Sequence, residues 1–215
     1  MVMDETRLSS FIESLERAKD PVLDAIREEA LLENVPVIRP ETEALLVFFL
    51  ELVKPLRILE VGCAVGYSAC VMAGKLPGTS IDTIENYAPR IPKARENFEK
   101  TGNSGRITLY EGDAGRILKE LSGPYDLIFM DAAKAQYIHW LPECERLLRT
   151  GGLLISDNVL SGGDILEART VVERRNRTIH KRMREYLYAL KHSDVFETAV
   201  IPIGDGVSVS CKKRV

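Results

Sequence analysis

An alternation that begins after Pro55 limits most strongly what this chain can fold into. Five short apolar runs, RILEV, TSIDTIE, RITLYEG, YDLIFMD and GGLLISD, are separated by stretches long enough for a helix and a turn. Apolar runs this short, bounded by amphipathic segments, are strands covered on both faces, with helices laid over them by the connections. The pattern predicts βαβ units and a mostly parallel sheet. Two further runs, VFETAVIPI and GVSVSCKKR, flank Gly204-Asp205-Gly206 and read as a hairpin that adds an antiparallel strand. The expected fold class is α/β: a Rossmann-like, mostly parallel seven-stranded sheet with helices on both faces.

Upstream, helical periodicity runs from Glu5 to Lys19, Pro21 to Glu33 and Pro40 to Val53, with Pro21 and Pro40 where a first helical turn tolerates proline. A long helix is expected from about Asp164 to His192. At 215 residues and 45% hydrophobic content, one domain over 1–215 is expected, a helical cap at 1–54 joined to the core at 55–215. A formal charge of -3 excludes a global electrostatic footprint for nucleic acid or an anionic membrane, so such a partner requires a local patch. Cys63, Cys70, Cys144 and Cys211 form no CxxC and read as reduced thiols. No run of about 18 apolar residues occurs, and MVMDETRLSS lacks a basic region followed by an apolar one, so a cytoplasmic, soluble chain with no membrane partner is expected.

ILEVGCAVGYS is a strand, a glycine-containing turn and a helix start, the place where doubly wound sheets take a nucleotide. Counted from Gly62, a GxGxxG fingerprint fails twice, at Ala64 and Tyr67. The middle glycine lets backbone approach a pyrophosphate, and Ala64 puts a Cβ there; a nucleoside without phosphates makes no such demand. The turn therefore favours S-adenosylmethionine over NAD. Glu85 ends the second strand, where a carboxylate accepts hydrogen bonds from a ribose diol. Asp113 opens the segment after the third strand and would border the adenine. Gly62 and Gly66 have an alternative reading as simple turn glycines, and Asp113 as a plain helix N-cap.

Two later runs end abruptly in acid: Asp131 closes YDLIFMD, and Asp157 with Asn158 closes GGLLISDN. Neighbouring strands lie about 4.8 Å apart and Mg²⁺ to oxygen distances are about 2.0 to 2.1 Å, so one cation can be shared between two such ends. Hard oxygen donors without nearby His or Cys point to Mg²⁺ or Ca²⁺, with about three octahedral positions left for substrate and water. Such a cation would act as Lewis acid on two adjacent substrate oxygens. Lys134 is the candidate general base, since a cation and a sulfonium nearby both disfavour its ammonium form. The competing account makes Asp131 and Asp157 helix caps and Lys134 a solvated lysine.

With these motifs the chain closely resembles the metal-dependent O-methyltransferases typified by catechol and caffeoyl-CoA O-methyltransferases, from about Val35 onward. The resemblance implies a class I methyltransferase fold and homodimers. It implies that Asp131, Asp157 and Asn158 bind the metal, that Asp131 also touches the cofactor, and that Lys134 is the base. It further implies that Glu60, Gly62, Gly66, Ser68 and Glu85 contact S-adenosylmethionine, with Ile38, Asp113 and Ala114 as further cofactor candidates. DAAKAQY, DNVL, the Arg-rich helix and IPIGDGVSVSCKK are similar to the bacterial branch that methylates 5-hydroxyuridine at the tRNA wobble position. There the 5-hydroxyl and 4-carbonyl oxygens are neighbours, like those of a catechol, and anticodon bases are already accessible.

Between Arg169 and Arg184 lie seven Lys or Arg residues against one acid, Glu173. On one continuous helix Arg174, Arg177, Lys181 and Arg184 share a face, opposite Val172, Ile179, Met183 and Leu190. Such a basic stripe suits an RNA backbone; a merely solvated face is the alternative. Tyr137, His139 and Trp140 could stack on a base or belong to the core. The rivals to a tRNA enzyme are an enzyme acting on a small catechol or hydroxycinnamoyl ester, a non-catalytic module binding S-adenosylmethionine or RNA, and, on the glycine count the weakest, an NAD oxidoreductase.

Overall fold

The computed structural model describes residues 11, 12, 14, 15, 20–160, 165–168 and 170–214. Of the first expected helix, Glu5 to Lys19, all but four residues fall outside this set. Helix α1, Pro21–Leu32, starts where expected: Pro21 fills its first position and the Asp20 carboxylate caps it by accepting the Val22 N–H at 2.8 Å. Helix α2, Pro40–Val53, matches its expected bounds and ends at Lys54, whose φ of 47° turns the chain out of the helix.

The remaining elements are β1 (Arg57–Val61), α3 (Tyr67–Lys75), β2 (Ser80–Glu85), α4 (Ile91–Lys100), β3 (Ile107–Glu111), α5 (Ala114–Glu120), β4 (Tyr125–Met130), α6 (Tyr137–Leu147), β5 (Leu148–Ser156), α7 (Arg177–Lys191), β6 (Phe196–Ile201) and β7 (Val207–Lys212). All seven strands join one sheet in the order β3-β2-β1-β4-β5-β7-β6. The first five are mutually parallel, and β7 runs antiparallel to both β5 and β6. Alternate strand residues feed two cores. Ile58, Ile81, Ile107, Phe129 and Ile155 pack with residues of α1 to α4, and Leu59, Val61, Ile84, Ile128 and Leu154 pack with residues of α5 to α7. Strand order reverses between β1 and β4, which opens a crevice outside their carboxyl ends.

The long C-terminal helix differs from expectation. It starts at Arg177, and the described residues between Ile165 and Asn176 form turns and a short 3-10 segment. Thr170, Val171 and Val172 are β-branched and poor helix formers, and Ile165 and Val172 are buried. Carbonyl oxygens left without a helical partner there are satisfied by arginines: Arg177 donates to Val172 O at 3.0 Å and Thr170 O at 3.3 Å, and Arg184 to Ile165 O at 2.9 Å. Among the described residues no helix is long and apolar enough to cross a membrane.

Candidate active site

The strand ends place the site because their register is in line. Val61 pairs with Met130, and Met130 with Ser156, so Gly62, Asp131 and Asp157 are the next residues of three adjacent strands. The ladder continues one rung further: Asp131 N–H donates to Val61 O and Asp157 N–H to Met130 O, both at 2.9 Å. Gly62 is required here. Its φ is 104°, and a Cβ would stand 2.0 Å from the Asp131 carbonyl oxygen. Gly66, at φ 82°, heads α3 with the Phe98 ring against it, 2.4 Å from where a Cβ would lie. Ala64 also adopts a left-handed conformation, φ 47°, and points its N–H at Glu85 Oε2, 2.7 Å away.

A crevice of about 960 Å³ runs across these strand ends. Ile38, Gly62, Ser68, Glu85, Asp113, Ala114, Asp131, Lys134 and Asn158 all line it, so most of the expected site is brought together. Glu85 Oε1 accepts the N–H groups of Asn86 and Tyr87 at 3.0 and 2.7 Å, which leaves one lone pair on Oε2 for a ligand hydroxyl. Asp113 has both roles considered for it: it caps α5 by accepting the Arg116 N–H at 3.0 Å, and it borders the crevice. Trp140 contributes its edge to the wall while being 8% exposed, and Tyr137 is wholly buried, so both aromatics are core; His139 is exposed at the rim.

Glu60, Gly66 and the metal candidate Asp157 do not line this crevice, Asp157 being buried behind it. Strand alternation turns Glu60 away from Val61 and beneath the glycine turn, where it is fully buried and accepts hydrogen bonds from the Ser68 and Thr83 hydroxyls. Burial, with smaller contributions from Asp131 and Glu85, pushes its carboxyl up to about 7 against the lowering effect of the two hydroxyls. Its observed work is to fasten α3 to the sheet.

Asp131 and Asp157 face one another across β4 and β5. Burial first, then the charge of Asp157, raises the Asp131 carboxyl to about 7, partly offset by Lys134 and by an Asn158 hydrogen bond. Asp157 is 3% exposed and likewise raised by burial, with Asp205 adding to the effect. Asn158 adopts φ 61°, a left-handed conformation that asparagine tolerates, and this turns its carboxamide back toward the neighbouring strand. Its Nδ2 donates to Asp131 Oδ1 at 3.0 Å. Turning the carboxamide over would set its oxygen at that same spacing from Asp131 Oδ1, close enough for both to serve one divalent cation. Two carboxylates that resist being charged together, beside a carboxamide at this spacing, fit a divalent cation. Among the described residues no three His, Cys, Asp or Glu converge, so a cation held here would need the Asn158 amide as its third protein donor.

Several supporting residues had no signal in the sequence. Arg27 donates to Ile38 O at 2.8 Å and lies 3.7 Å from Glu43, which accepts the Tyr67 hydroxyl at 2.8 Å; this chain of contacts ties α1, α2 and α3 together and fixes Ile38 on the crevice wall. Thr42 Oγ1 lies 3.4 Å from Asp157 Oδ1, and Arg39 pairs with Asp205 at 3.1 Å, so the start of α2 and the turn between β6 and β7 close over the acid pair. The four expected basic residues are not a free stripe: Arg174 lies off the helix, Arg177 and Arg184 are engaged by backbone oxygens, and Lys181 is 3.7 Å from Glu185.

The model of a family described as O-methyltransferase matches residues 13–213. A catechol O-methyltransferase of Niastella koreensis is 30% identical over 164 residues, 73% of this chain and 74% of that protein. A caffeoyl-CoA O-methyltransferase of Stellaria longipes is 30% identical over 182 residues, 79% of this chain and 73% of that protein. The crystal structure of an SAH-bound methyltransferase of Podospora anserina superposes with a TM-score of 0.87 at 26% identity, covering 98% of this chain and 95% of that one. A crevice at the switch point of the sheet, lined by Glu85, Asp113, Asp131 and Asn158, and a family match over nearly the whole length agree: the chain belongs to the O-methyltransferase family and is an S-adenosylmethionine-dependent enzyme.

Proposed function

We propose that this enzyme methylates a hydroxyl that has a second oxygen as its neighbour, and that the acceptor is 5-hydroxyuridine at the tRNA wobble position, giving 5-methoxyuridine. The observation that carries the reaction type is the convergence of Asp131, Asn158 and Lys134 on the crevice that also holds Glu85. Asp131, Asp157 and Asn158 would hold Mg²⁺ or a similar divalent cation, which when bound supplies Lewis-acid polarisation of two neighbouring acceptor oxygens. The residues of the chain do the rest. Glu85 and Asp113 orient the nucleoside of the methyl donor, and Gly62 lets the floor of the crevice approach it closely. Lys134 Nζ takes the proton of the acceptor hydroxyl as the oxygen attacks the methyl carbon and the sulfonium–methyl bond breaks to release S-adenosylhomocysteine as a neutral thioether, and the two acids nearby offset the positive charge that develops on the lysine.

The tRNA acceptor rests on the DAAKAQY, DNVL and IPIGDGVSVSCKK motifs and on the placement of basic residues. Arg182 donates to Ala135 O at 3.2 Å and so docks α7 beside Lys134, and Lys181 in that helix and Arg174 in the turns before it are both exposed. The names of the relatives from Niastella koreensis and Stellaria longipes favour a second reading, a small catechol or a hydroxycinnamoyl thioester. Incubation with labelled S-adenosylmethionine, Mg²⁺ and tRNA from cells lacking the modification, in parallel with catechol and caffeoyl-CoA, separates the two. Label in a digested uridine derivative supports the tRNA acceptor, and label on the phenols alone refutes it. Charge reversal at Arg174 and Lys181 is expected to weaken tRNA methylation at least tenfold and to steepen its salt sensitivity while leaving any phenol activity unchanged.

A further inference from the structure

Tyr137 is completely buried, yet its hydroxyl is not spent on the helix it begins. It accepts the Ala132 N–H at 3.1 Å and lies 3.2 Å from Met130 O and 3.3 Å from Asp157 O, the two acceptors for its proton. Met130 and Ala132 flank Asp131, so one hydroxyl brackets the first acid and reaches the backbone of the second. The placement matters because the sheet stops holding the strands together here: the Asp157 N–H to Met130 O bond, 2.9 Å, is the last backbone rung between β4 and β5 among the described residues. Beyond it the chains diverge, one toward Lys134 and one toward Asn158. The ring is itself held, edge-on to Tyr186 with centroids 5.5 Å apart and beside Trp140 at 6.4 Å.

We propose that Tyr137 is a positioning residue: its hydroxyl sets the separation of the β4 and β5 ends and so the spacing at which Asp131, Asp157 and Asn158 grasp their cation. The inference rests on the metal-dependent reading above. Outer groups that orient ligands without touching a metal commonly govern its affinity about 10 to 100 fold. Tyr186 provides the contrast within the same core. Its hydroxyl meets Ser156 Oγ at 2.6 Å, on the last residue of β5, and among the described residues it makes no hydrogen bond to the β4 end.

The test measures Mg²⁺ and Mn²⁺ binding by calorimetry on wild type, Tyr137→Phe and Tyr186→Phe, together with the S-adenosylmethionine Kd and thermal stability. Tyr137→Phe keeps the ring and is expected to weaken metal binding by about 10 to 100 fold while moving the S-adenosylmethionine Kd less than about threefold, with turnover recovering as metal is raised. Tyr186→Phe is expected to lower the melting temperature without changing the metal Kd. Titrating metal into the S-adenosylmethionine-saturated protein keeps the comparison valid if Tyr137→Phe is unstable alone. An unchanged metal Kd in Tyr137→Phe, or an equal loss in Tyr186→Phe, overturns the positioning role. Failure of the wild type to bind either ion overturns the metal-dependent reading and this inference with it.

Discussion

Gly62→Ala is the sharpest perturbation that the structure allows at the floor of the crevice. The position has φ 104°, and the new Cβ would lie 2.0 Å from the Asp131 carbonyl oxygen and 2.7 Å from its carbon, backbone atoms that no rotamer change can move aside. Holding an alanine in that conformation costs about 1 to 2 kcal/mol. Relieving the overlap means parting the ends of β1 and β4, which stretches the Asp131 N–H to Val61 O bond of 2.9 Å, a contribution of about 1 kcal/mol. A total of about 2 to 3 kcal/mol corresponds to a melting temperature lower by roughly 4 to 12 °C for a chain of this size. The displaced Asp131 also lines the crevice, so the S-adenosylmethionine Kd should rise at least tenfold. Thermal unfolding and isothermal titration on the purified variant measure both effects. A variant that melts with wild type and binds the cofactor equally well would refute the close approach of β1 to Asp131 as the reason for a glycine at this position.

Gly74 makes the opposite prediction: it lies in α3, exposed, with nothing within 4 Å of an added Cβ, so Gly74→Ala should stabilise the protein by about 0.5 to 1 kcal/mol in a denaturant melt. Lys134→Ala should lower turnover about 10² to 10⁴ fold in a methyl-transfer assay while calorimetry shows cofactor affinity unchanged; parallel loss of both would show the lysine to be a binding residue. Glu60 governs a pH effect whose sign follows from its raised carboxyl. The folded state holds that proton more tightly than the unfolded chain, so its stabilising effect is full below about 4.5 and is lost as pH rises toward 7. Glu60→Gln should remove about 3 kcal/mol of the stability lost across that window, seen as a flatter plot of unfolding free energy against pH; a slope identical to wild type would place the titration elsewhere.

What the sequence discloses of this enzyme depends on how local the physics is. Strand ends are local: an apolar run that stops at an acid announces both the strand and the direction in which the acid points, so Asp131, Asp157, Asn158 and Glu85 were legible, and adjacency of β4 and β5 then follows from the parallel order. Parity is local too, and Glu60 could have been placed by it, since the residue before the last of a buried strand faces away from the last one, here on the side of Ile58 and away from Val61. The start of α7 is not local. Arginines that suggest a basic helix face become, at Arg177 and Arg184, donors to the carbonyls of the preceding segment, because buried Val172 and Ile165 draw that segment into the core before it can wind.

The groups that hold the acid pair in place are the least visible, because each reaches across the fold. Thr42 and Asp157 are 115 residues apart, and Arg39 and Asp205 are 166 apart. Tyr137 is only six residues from Asp131, yet its role depends on a strand end twenty residues further on, through the Asp157 carbonyl at 3.3 Å. Residue type announces chemistry wherever a carboxylate or a lysine is needed at a surface. Precision of placement comes from buried hydroxyls and guanidinium groups whose partners topology alone decides, so residues that look like ordinary core are where altered geometry of this site should be sought.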